Sequence, residues 1–114
     1  MAKGYRARRN FLVYELLSMV TDQTPKKTGL ATGNWQISVG ARNGSVLDRK
    51  DLGGGETVTE EITKLRGASA FATIHVFNNL HYISDLENGT SGQAPHGILR
   101  VVVPAFRAMN SDAI

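Results

Sequence analysis

The stretch Thr24-Pro25-Lys26-Lys27-Thr28-Gly29-Leu30-Ala31-Thr32-Gly33-Asn34-Trp35 decides how this chain folds. It separates a strongly helical segment from a strand-like one. Pro25 disfavours helical geometry at Thr24, so the preceding helix is expected to end there. Gly29 and Gly33 accept positive φ angles without a steric penalty, as tight turns require. The stretch therefore predicts a rigid turn that holds one short element against another.

A helix is predicted on the N-terminal side of this turn. Residues 11–20 carry apolar side chains at i, i+4, i+7 and i+8 spacing, which places them on one helix face. That face comprises Leu12, Leu16, Met19 and Val20, and it is widened by Val13 and Leu17. Because helix-favouring residues precede it, the helix begins either near Gly4 or, capped by Asn10, close to residue 11.

A strand is predicted on the C-terminal side of the turn. Residues 35–40 alternate apolar and polar side chains with a period of two. This pattern directs Trp35, Ile37 and Val39 toward the core. Trp35 is expected to be the main core anchor, because its ring buries a large apolar area while its N–H can reach an acceptor.

The region between residues 41 and 56 shows no periodic pattern. Asn43-Gly44 is a strong turn dipeptide, and Gly53-Gly54-Gly55 is typical of a flexible hairpin tip. A long exposed loop or flexible arm is therefore expected here, able to reach a neighbouring molecule. Thr57 followed by Glu60 fits a capping box, which predicts a short helix from Thr57 to about residue 66.

The second half of the chain is predicted to contain another strand and two helices. Residues 71–77 alternate as a strand, and residues 82–87 suit one or two helical turns that Asn88-Gly89 closes. Residues 97–109 favour a helix, kinked or starting late because of Pro104. A strand over residues 98–103 is the alternative, since this run is rich in β-branched side chains. The class is α+β: a small antiparallel β-sheet packed with an N-terminal helix and a C-terminal helix, with a long exposed loop in the middle.

Length and composition are those of one small globular domain, residues 1–114. The chain has a formal net charge of +3 and no cysteine. Without cysteine there is neither a disulfide nor thiolate chemistry, and this charge is modest for a dedicated nucleic-acid binder. The apolar runs are too short to span a bilayer, and no cleavage site follows the basic N-terminus. The pattern predicts a cytoplasmic product that does not bind a membrane.

Candidate catalytic and metal-binding groups are sparse. The three histidines, His75, His81 and His96, lack the i, i+4 spacing of a helical metal pair. No serine lies in a nucleophile elbow, and the neighbouring carboxylates of Glu60 and Glu61 point to different sides of a helix. The sequence therefore predicts no catalytic residue, no metal ligand and no cofactor.

A basic cluster is suited to contact with phosphates or with an acidic partner. It comprises Arg6, Arg8, Arg9, Lys26 and Lys27. Contacts of this type with nucleic acid would be independent of base sequence. A small nucleic-acid-binding module that uses the basic N-terminal segment is therefore the alternative functional hypothesis.

Two groups of residues carry a resemblance to a known family. The first group is Thr24, Pro25, Thr28, Gly29, Asn34 and Trp35. The second group is Asn78, Asn79, Tyr82, Leu86, Glu87, Gly89, Ser91, Gln93, Ala94, Pro95 and Gly97. In order and spacing they resemble the head–tail joining or tail-completion (neck) protein family of tailed bacteriophages, over about residues 5–107. Pro104 departs from the helix that this family has near its C-terminus.

The resemblance implies a small α+β virion protein without catalytic residues. Such a protein forms a homo-oligomeric ring, six-fold or twelve-fold, at the head–tail junction (neck) or on the tail top. Its expected partners are other neck proteins (adaptor, stopper), the tail tube protein and the genomic DNA in the channel. Assembly in the host cytoplasm would place it in the virion, in the neck or tail.

Seven residues of the two groups are expected to be structural anchors of the subunit. They are Pro25, Gly29, Trp35, Tyr82, Glu87, Gly89 and Pro95. Tyr82 suits either the core or an interface, because a tyrosine ring buries apolar area while its hydroxyl reaches a polar edge.

Overall fold

The computed structural model describes residues 2–89 and 96–111. Within these ranges the chain forms five α-helices and two β-strands. In order they are α1 (Ala2–Gln23), α2 (Leu30–Gly33), β1 (Trp35–Val39), α3 (Gly55–Ile62), a 3-10 helix (Thr63–Leu65), β2 (Ile74–Asn78), α4 (Ile83–Glu87) and α5 (Leu99–Met109). The predicted α+β class is confirmed, with its small antiparallel sheet and its N-terminal and C-terminal helices.

The sheet consists of β1 and β2. They pair antiparallel, from Trp35 opposite Asn78 to Val39 opposite Ile74. β2 begins later than the predicted residue 71, because the residues before it form a turn. In this turn the Ala72 N–H donates to the Ser69 carbonyl, three positions back, at 3.1 Å. A two-stranded sheet is marginal by itself, so its stability depends on the helices that cover it.

The core lies between α1 and the sheet. α1 buries Val13, Leu17 and Val20, which follow i, i+4 and i+7 spacing. The other buried members of this core are Trp35, Ile37, Leu65, Ile98 and Val102. Because α1 begins at Ala2, the earlier of the two predicted helix starts is correct and the Asn10 cap is wrong. No described helix is both long and apolar enough to cross a bilayer.

β1 is buried on both faces at its start rather than on one. Val39, predicted to face the core, is 39% exposed, whereas Gln36 is buried. Gln36 is covered because the loop after β1 folds back over it, and its Nε2 donates to the Ser45 carbonyl at 2.9 Å. Burial falls along the strand toward Val39, which lies at its far end.

The long loop between β1 and α3 is exposed for most of its length, as predicted, but it lies along the domain. Asn34 exchanges two hydrogen bonds with the backbone of Leu47, at 2.7 and 3.0 Å. Asn79 Nδ2 donates to two further loop carbonyls, of Asn43 and Ser45, both at 2.9 Å. Polar side chains next to the ends of the two strands therefore hold this segment against its own subunit.

α3 begins at Gly55, before the predicted start, and Thr57 is buried inside it instead of capping it. The carboxylate of Asp51 caps the helix, since Gly54 N–H donates to Oδ1 at 3.0 Å and Thr57 N–H donates to Oδ2 at 2.7 Å. The predicted hairpin tip is wrong for Gly54, which has a φ of +81°. It lies against Thr21, whose side chain is 3.1 Å from where a Cβ on Gly54 would stand. These glycines lead directly into a helix.

α5 is the helix that residues 97–109 favoured, and the alternative strand is wrong. It spans Leu99–Met109 with Pro104 inside it. Proline removes one N–H from the helical ladder, and Pro104 lies on the exposed side of the helix. Val102 and the preceding Ile98 are buried in the core and fix α5 to the domain.

Candidate functional site

The side chains of Thr24 and Trp35 close the turn after α1. Trp35 is 3% exposed, and its Nε1 donates to Thr24 Oγ1 at 2.8 Å. The Thr24 hydroxyl in turn donates to the Val20 carbonyl at 2.5 Å, which joins the pair to the last turn of α1. Pro25 follows as a buried residue. Without this acceptor, the buried indole N–H would cost about 1–3 kcal/mol.

Gly29 and Gly33 allow the long loop to cross this turn at close range. Gly29 has a φ of +83°, and a Cβ there would stand 2.7 Å from the Asp51 nitrogen. The Gly29 carbonyl accepts the Asp51 N–H at 3.0 Å. At Gly33 a Cβ would stand 1.8 Å from the Arg49 carbonyl oxygen. A side chain at either position would therefore separate the loop from the turn.

Glu87 caps α5 from the end of α4. Its Oε1 accepts the N–H groups of Ile98 and Leu99 at 3.2 and 2.6 Å, and its Oε2 accepts that of Arg100 at 3.1 Å. Gly97, with a φ of +89°, lies against Glu87, because a Cβ there would stand 2.4 Å from its carbonyl oxygen. The Leu-Glu-x-Gly motif thus supplies the missing acceptors for the first turn of α5.

The other predicted anchors have simpler roles. Gly89 has a φ of +83° after the end of α4, the left-handed geometry that a helix stop requires. Tyr82 is half-buried before α4, and its ring lies edge-on to the ring of His81, with centroids 5.1 Å apart. Pro95 lies outside the described residues.

An ion pair that the sequence did not reveal covers the free edge of β1. Glu61 Oε1 accepts the Ile37 N–H at 2.8 Å, and Arg49 Nη2 donates to the Trp35 carbonyl at 3.1 Å. The two side chains also pair with each other, Arg49 Nη1 to Glu61 Oε2 at 3.1 Å. They satisfy backbone groups that a third strand would otherwise bind.

One signal in the sequence could have identified Glu61. It shares i, i+4 spacing with Thr57 and Leu65, both of which are buried, while the neighbouring Glu60 is exposed. Arg49 carries no comparable signal, because it lies in a charged loop segment without periodicity. Its role depends on Glu61, which is 12 positions away in the chain.

Asp51 is the titratable side chain with the clearest electrostatic role in this region. Burial by itself would raise the pKa of Asp51. The N–H groups of Thr57 and Gly54 and the charge of Arg49 outweigh burial and hold the pKa below its ordinary value of 3.8. Asp51 is therefore a charged helix cap at neutral pH.

Two of the five predicted basic contact residues are engaged inside the subunit. The Arg9 guanidinium donates to the carbonyls of Ser69 and Ala68 at 2.6 and 3.3 Å. Lys26 Nζ donates to the Thr21 carbonyl, and burial lowers the pKa of Lys26 although nearby carboxylates oppose the shift. These two cations hold the fold together.

Arg6, Arg8 and Lys27 are exposed, but they do not form one patch. Arg6 and Arg8 lie near the start of α1, and Lys27 follows its end. Since a helix rises about 1.5 Å per residue, the two groups are separated by more than about 20 Å. The basic cluster of the sequence is therefore divided by the fold.

The histidines do not assemble a reaction centre. His75 lies in β2 with its Nε2 2.7 Å from the Gly40 carbonyl oxygen, and His81 and His96 are exposed. In the described ranges 2–89 and 96–111, no three His, Asp or Glu side chains lie where they could hold a metal ion together.

Among the described residues, apolar surface is exposed between α1 and α3 and along α5. The α1–α3 groove, an open cleft of about 590 Å³, is lined by Phe11, Tyr14, Glu15, Asp22, Val58 and Thr59, among others. Phe11 and Tyr14 are 59% and 51% exposed. The α5 stripe comprises the exposed residues Val101, Ala105, Ala108 and Met109. Apolar surface of this kind marks sites of association.

Comparison with protein-family models, with curated proteins and with solved structures gives no match to this chain. What the protein does is therefore inferred from its own residues and fold.

Proposed function

We propose that this chain is a structural virion protein of a tailed phage. It would form an oligomeric ring at the head–tail junction or on the tail top, joining capsid to tail after assembly in the host cytoplasm. The observation that carries this proposal is the use of the motif side chains inside the subunit. The Trp35 N–H is bound by Thr24, and the Glu87 carboxylate is bound by the first turn of α5. Side chains bound in this way stabilise the conformation of the subunit.

The exterior of the subunit supports the same function. Phe11 and Tyr14 on α1 and Met109 on α5 expose large apolar side chains in a domain of 114 residues. Burial of apolar area is the main favourable term in protein association. A ring subunit needs such surfaces, because each copy contacts two neighbours.

Purified chain tests the proposal, alone and mixed with tail tubes or with the adaptor and stopper proteins. Light scattering after size exclusion should show a mass of six or twelve chains, or electron microscopy should show rings at tube ends. A chain that stays monomeric and binds none of these components would contradict the proposal.

A sequence-independent nucleic-acid-binding module is the second candidate function. Arg6 and Arg8 favour it, because both are exposed near the start of α1 beside Tyr5, which is 56% exposed. Arginines bind phosphates, and a tyrosine ring can stack on a base. A monomer that binds DNA with steep salt dependence and ignores tail components would favour this function over the ring.

A further inference from the structure

We propose that neighbouring copies of this chain join head to tail, with the α5 stripe of one copy packed into the α1–α3 groove of the next. The inference rests on the proposed ring in one respect, since it names the contact between its subunits. It is argued from two complementary surfaces of a single chain.

α5 carries its charge on one side, at Arg100 and Arg107, and only part of its apolar surface is buried. Val102 is 3% exposed and packs in the core. Val101, Ala105 and Ala108 recur at i, i+4 and i+7 beside this buried position and are exposed, as is Met109 at 65%. The apolar surface of α5 therefore extends beyond the part that its own core covers, and exposed apolar surface of this kind is typical of a contact site.

The α1–α3 groove offers a matching apolar surface with an open floor. Phe11 and Tyr14 stand exposed on α1, and Val58 is half-buried on α3. Gly53 and Gly55 border the groove, and a Cβ added to either would meet nothing within 4 Å. Small residues at this border leave room for the side chains of an incoming helix.

The charges of the two surfaces are opposite and equally spaced. The charged residues that line the described groove are Glu15 and Asp22, seven positions apart on α1. The charged residues of α5 are Arg100 and Arg107, also seven positions apart. Seven residues span about 10 Å of helix axis. Both arginines can therefore face both carboxylates when α5 lies along α1.

Part of this charge already has a partner inside the subunit. Arg100 donates to Asn88 Oδ1 at 3.0 Å, and its Nε lies 3.9 Å from Glu87 Oε2. Glu15 Oε1 accepts from Asn110 Nδ2 at 3.0 Å, and the charge of Asp22 interacts with that of Lys26. The Arg107 guanidinium is exposed and makes no hydrogen bond or ion pair with any described residue. Arg107 is therefore the residue whose surroundings change most on docking.

The α5 stripe cannot fill the groove of its own chain. Burial of Ile98 and Val102 in the core fixes α5 in its own chain. In that position Val101, Ala105, Ala108 and Met109 stay exposed, so they do not occupy the groove. The contact must therefore join different copies. Because the stripe and the groove are different surfaces, the contact is heterologous and repeats until it closes into a ring.

Cross-linking tests this contact directly, because the chain has no cysteine of its own. Ala108→Cys places a thiol on the stripe, and Thr59→Cys places one in the groove. A short bismaleimide linker should join the two variants when they are mixed. Val46→Cys, exposed on the long loop, is the matched control. The proposal is overturned if the mixture gives no more product than the control, or if Ala108→Cys joins mainly to itself.

A charge exchange tests the pairing and its direction. Arg107→Glu should weaken self-association roughly tenfold, as expected for loss of one close ion pair. Rescue by Asp22→Arg assigns a parallel packing of α5 on α1, and rescue by Glu15→Arg assigns an antiparallel one. Failure of both rescues, with circular dichroism showing folded chains, would overturn the pairing.

The two proposals fail in different ways. If rings form and bind tail tubes while both experiments are negative, the interface is wrong and the proposed function stands. If the stripe and groove cross-link but the product neither closes into rings nor binds tail components, the interface stands and the proposed function is wrong. A wild-type chain without any self-association overturns the interface.

Discussion

At the scale of single residues, Asp51 shows how one side chain joins distant parts of the chain. Its own N–H donates to the Gly29 carbonyl, and its carboxylate accepts the N–H groups of Gly54 and Thr57. The turn after α1 and the start of α3 therefore share one residue. Because the pKa of Asp51 is lowered in the fold, this arrangement is strongest when the carboxylate is charged.

Asp51→Asn should lower the free energy of unfolding at neutral pH by about 1 kcal/mol, because a charged helix cap is replaced by a neutral one. The stability from the lowered pKa is present in full above the ordinary value of 3.8 and is lost as pH falls through the folded value. Denaturant unfolding from pH 7 to pH 2 should show the two proteins converging in acid. Asp48→Asn, an exposed change of equal charge in the same loop, is the control. A difference that stays constant in acid would contradict the prediction.

At the scale of elements, α5 depends on a cap that a different helix supplies. Its N-cap residue, Ile98, has no polar side chain, and the three N–H groups of Ile98, Leu99 and Arg100 are bound by Glu87. Since α5 carries the exposed stripe, Glu87 also positions the surface that we assign to assembly. The Leu-Glu-x-Gly motif thus stabilises the start of α5, the helix that follows it in the chain.

Glu87→Ala should destabilise the protein by about 1–2 kcal/mol, because it removes all three acceptors from the first turn of α5. Amide hydrogen exchange should accelerate at Leu99 and Arg100. Glu87→Gln should have an intermediate effect, since an amide keeps one acceptor oxygen. Ser84→Ala, an exposed change in the same short helix, is the matched control. Unchanged exchange at Leu99 in Glu87→Ala would show that the cap is not needed.

At the scale of the whole molecule, the fold separates the basic residues that were predicted to form one cluster. Arg6 and Arg8 lie at one end of α1 and Lys27 at the other, farther apart than the screening length of about 8 Å at physiological salt. Arg9 lies beside Arg8 in sequence but binds backbone carbonyls. The basic side chains that are exposed to partners are therefore different from the one that stabilises the subunit.

Neutralising Arg6 and Arg8 together should reduce the salt concentration needed to elute the protein from a polyanion column, with no change in the thermal midpoint. Adding Lys27→Ala should give an additive decrease, because the sites are distant. Arg9→Ala should instead lower the free energy of unfolding by about 1 kcal/mol through its lost hydrogen bonds. Equal loss of stability in the Arg6 and Arg8 variant and in Arg9→Ala would contradict this division.

The sequence by itself determined the features that depend on short-range geometry. Pro25 ends α1 near Thr24, Trp35 starts a strand with its ring buried, and Asn88-Gly89 stops α4. Each outcome follows from allowed backbone angles or from a repeating apolar pattern, so a few neighbouring residues contain the information. The α+β class follows from the same patterns.

Only the tertiary structure decided which polar side chains are buried and what they bind. Glu61 reaches the N–H of Ile37 across 24 positions, and Arg9 reaches the carbonyl of Ser69 across 60. Such partners are brought together by packing, and no local pattern encodes the distance between them. The same holds for the part of α5 that stays exposed, because Val102 is buried while Ala105 and Ala108, farther along the helix, are not.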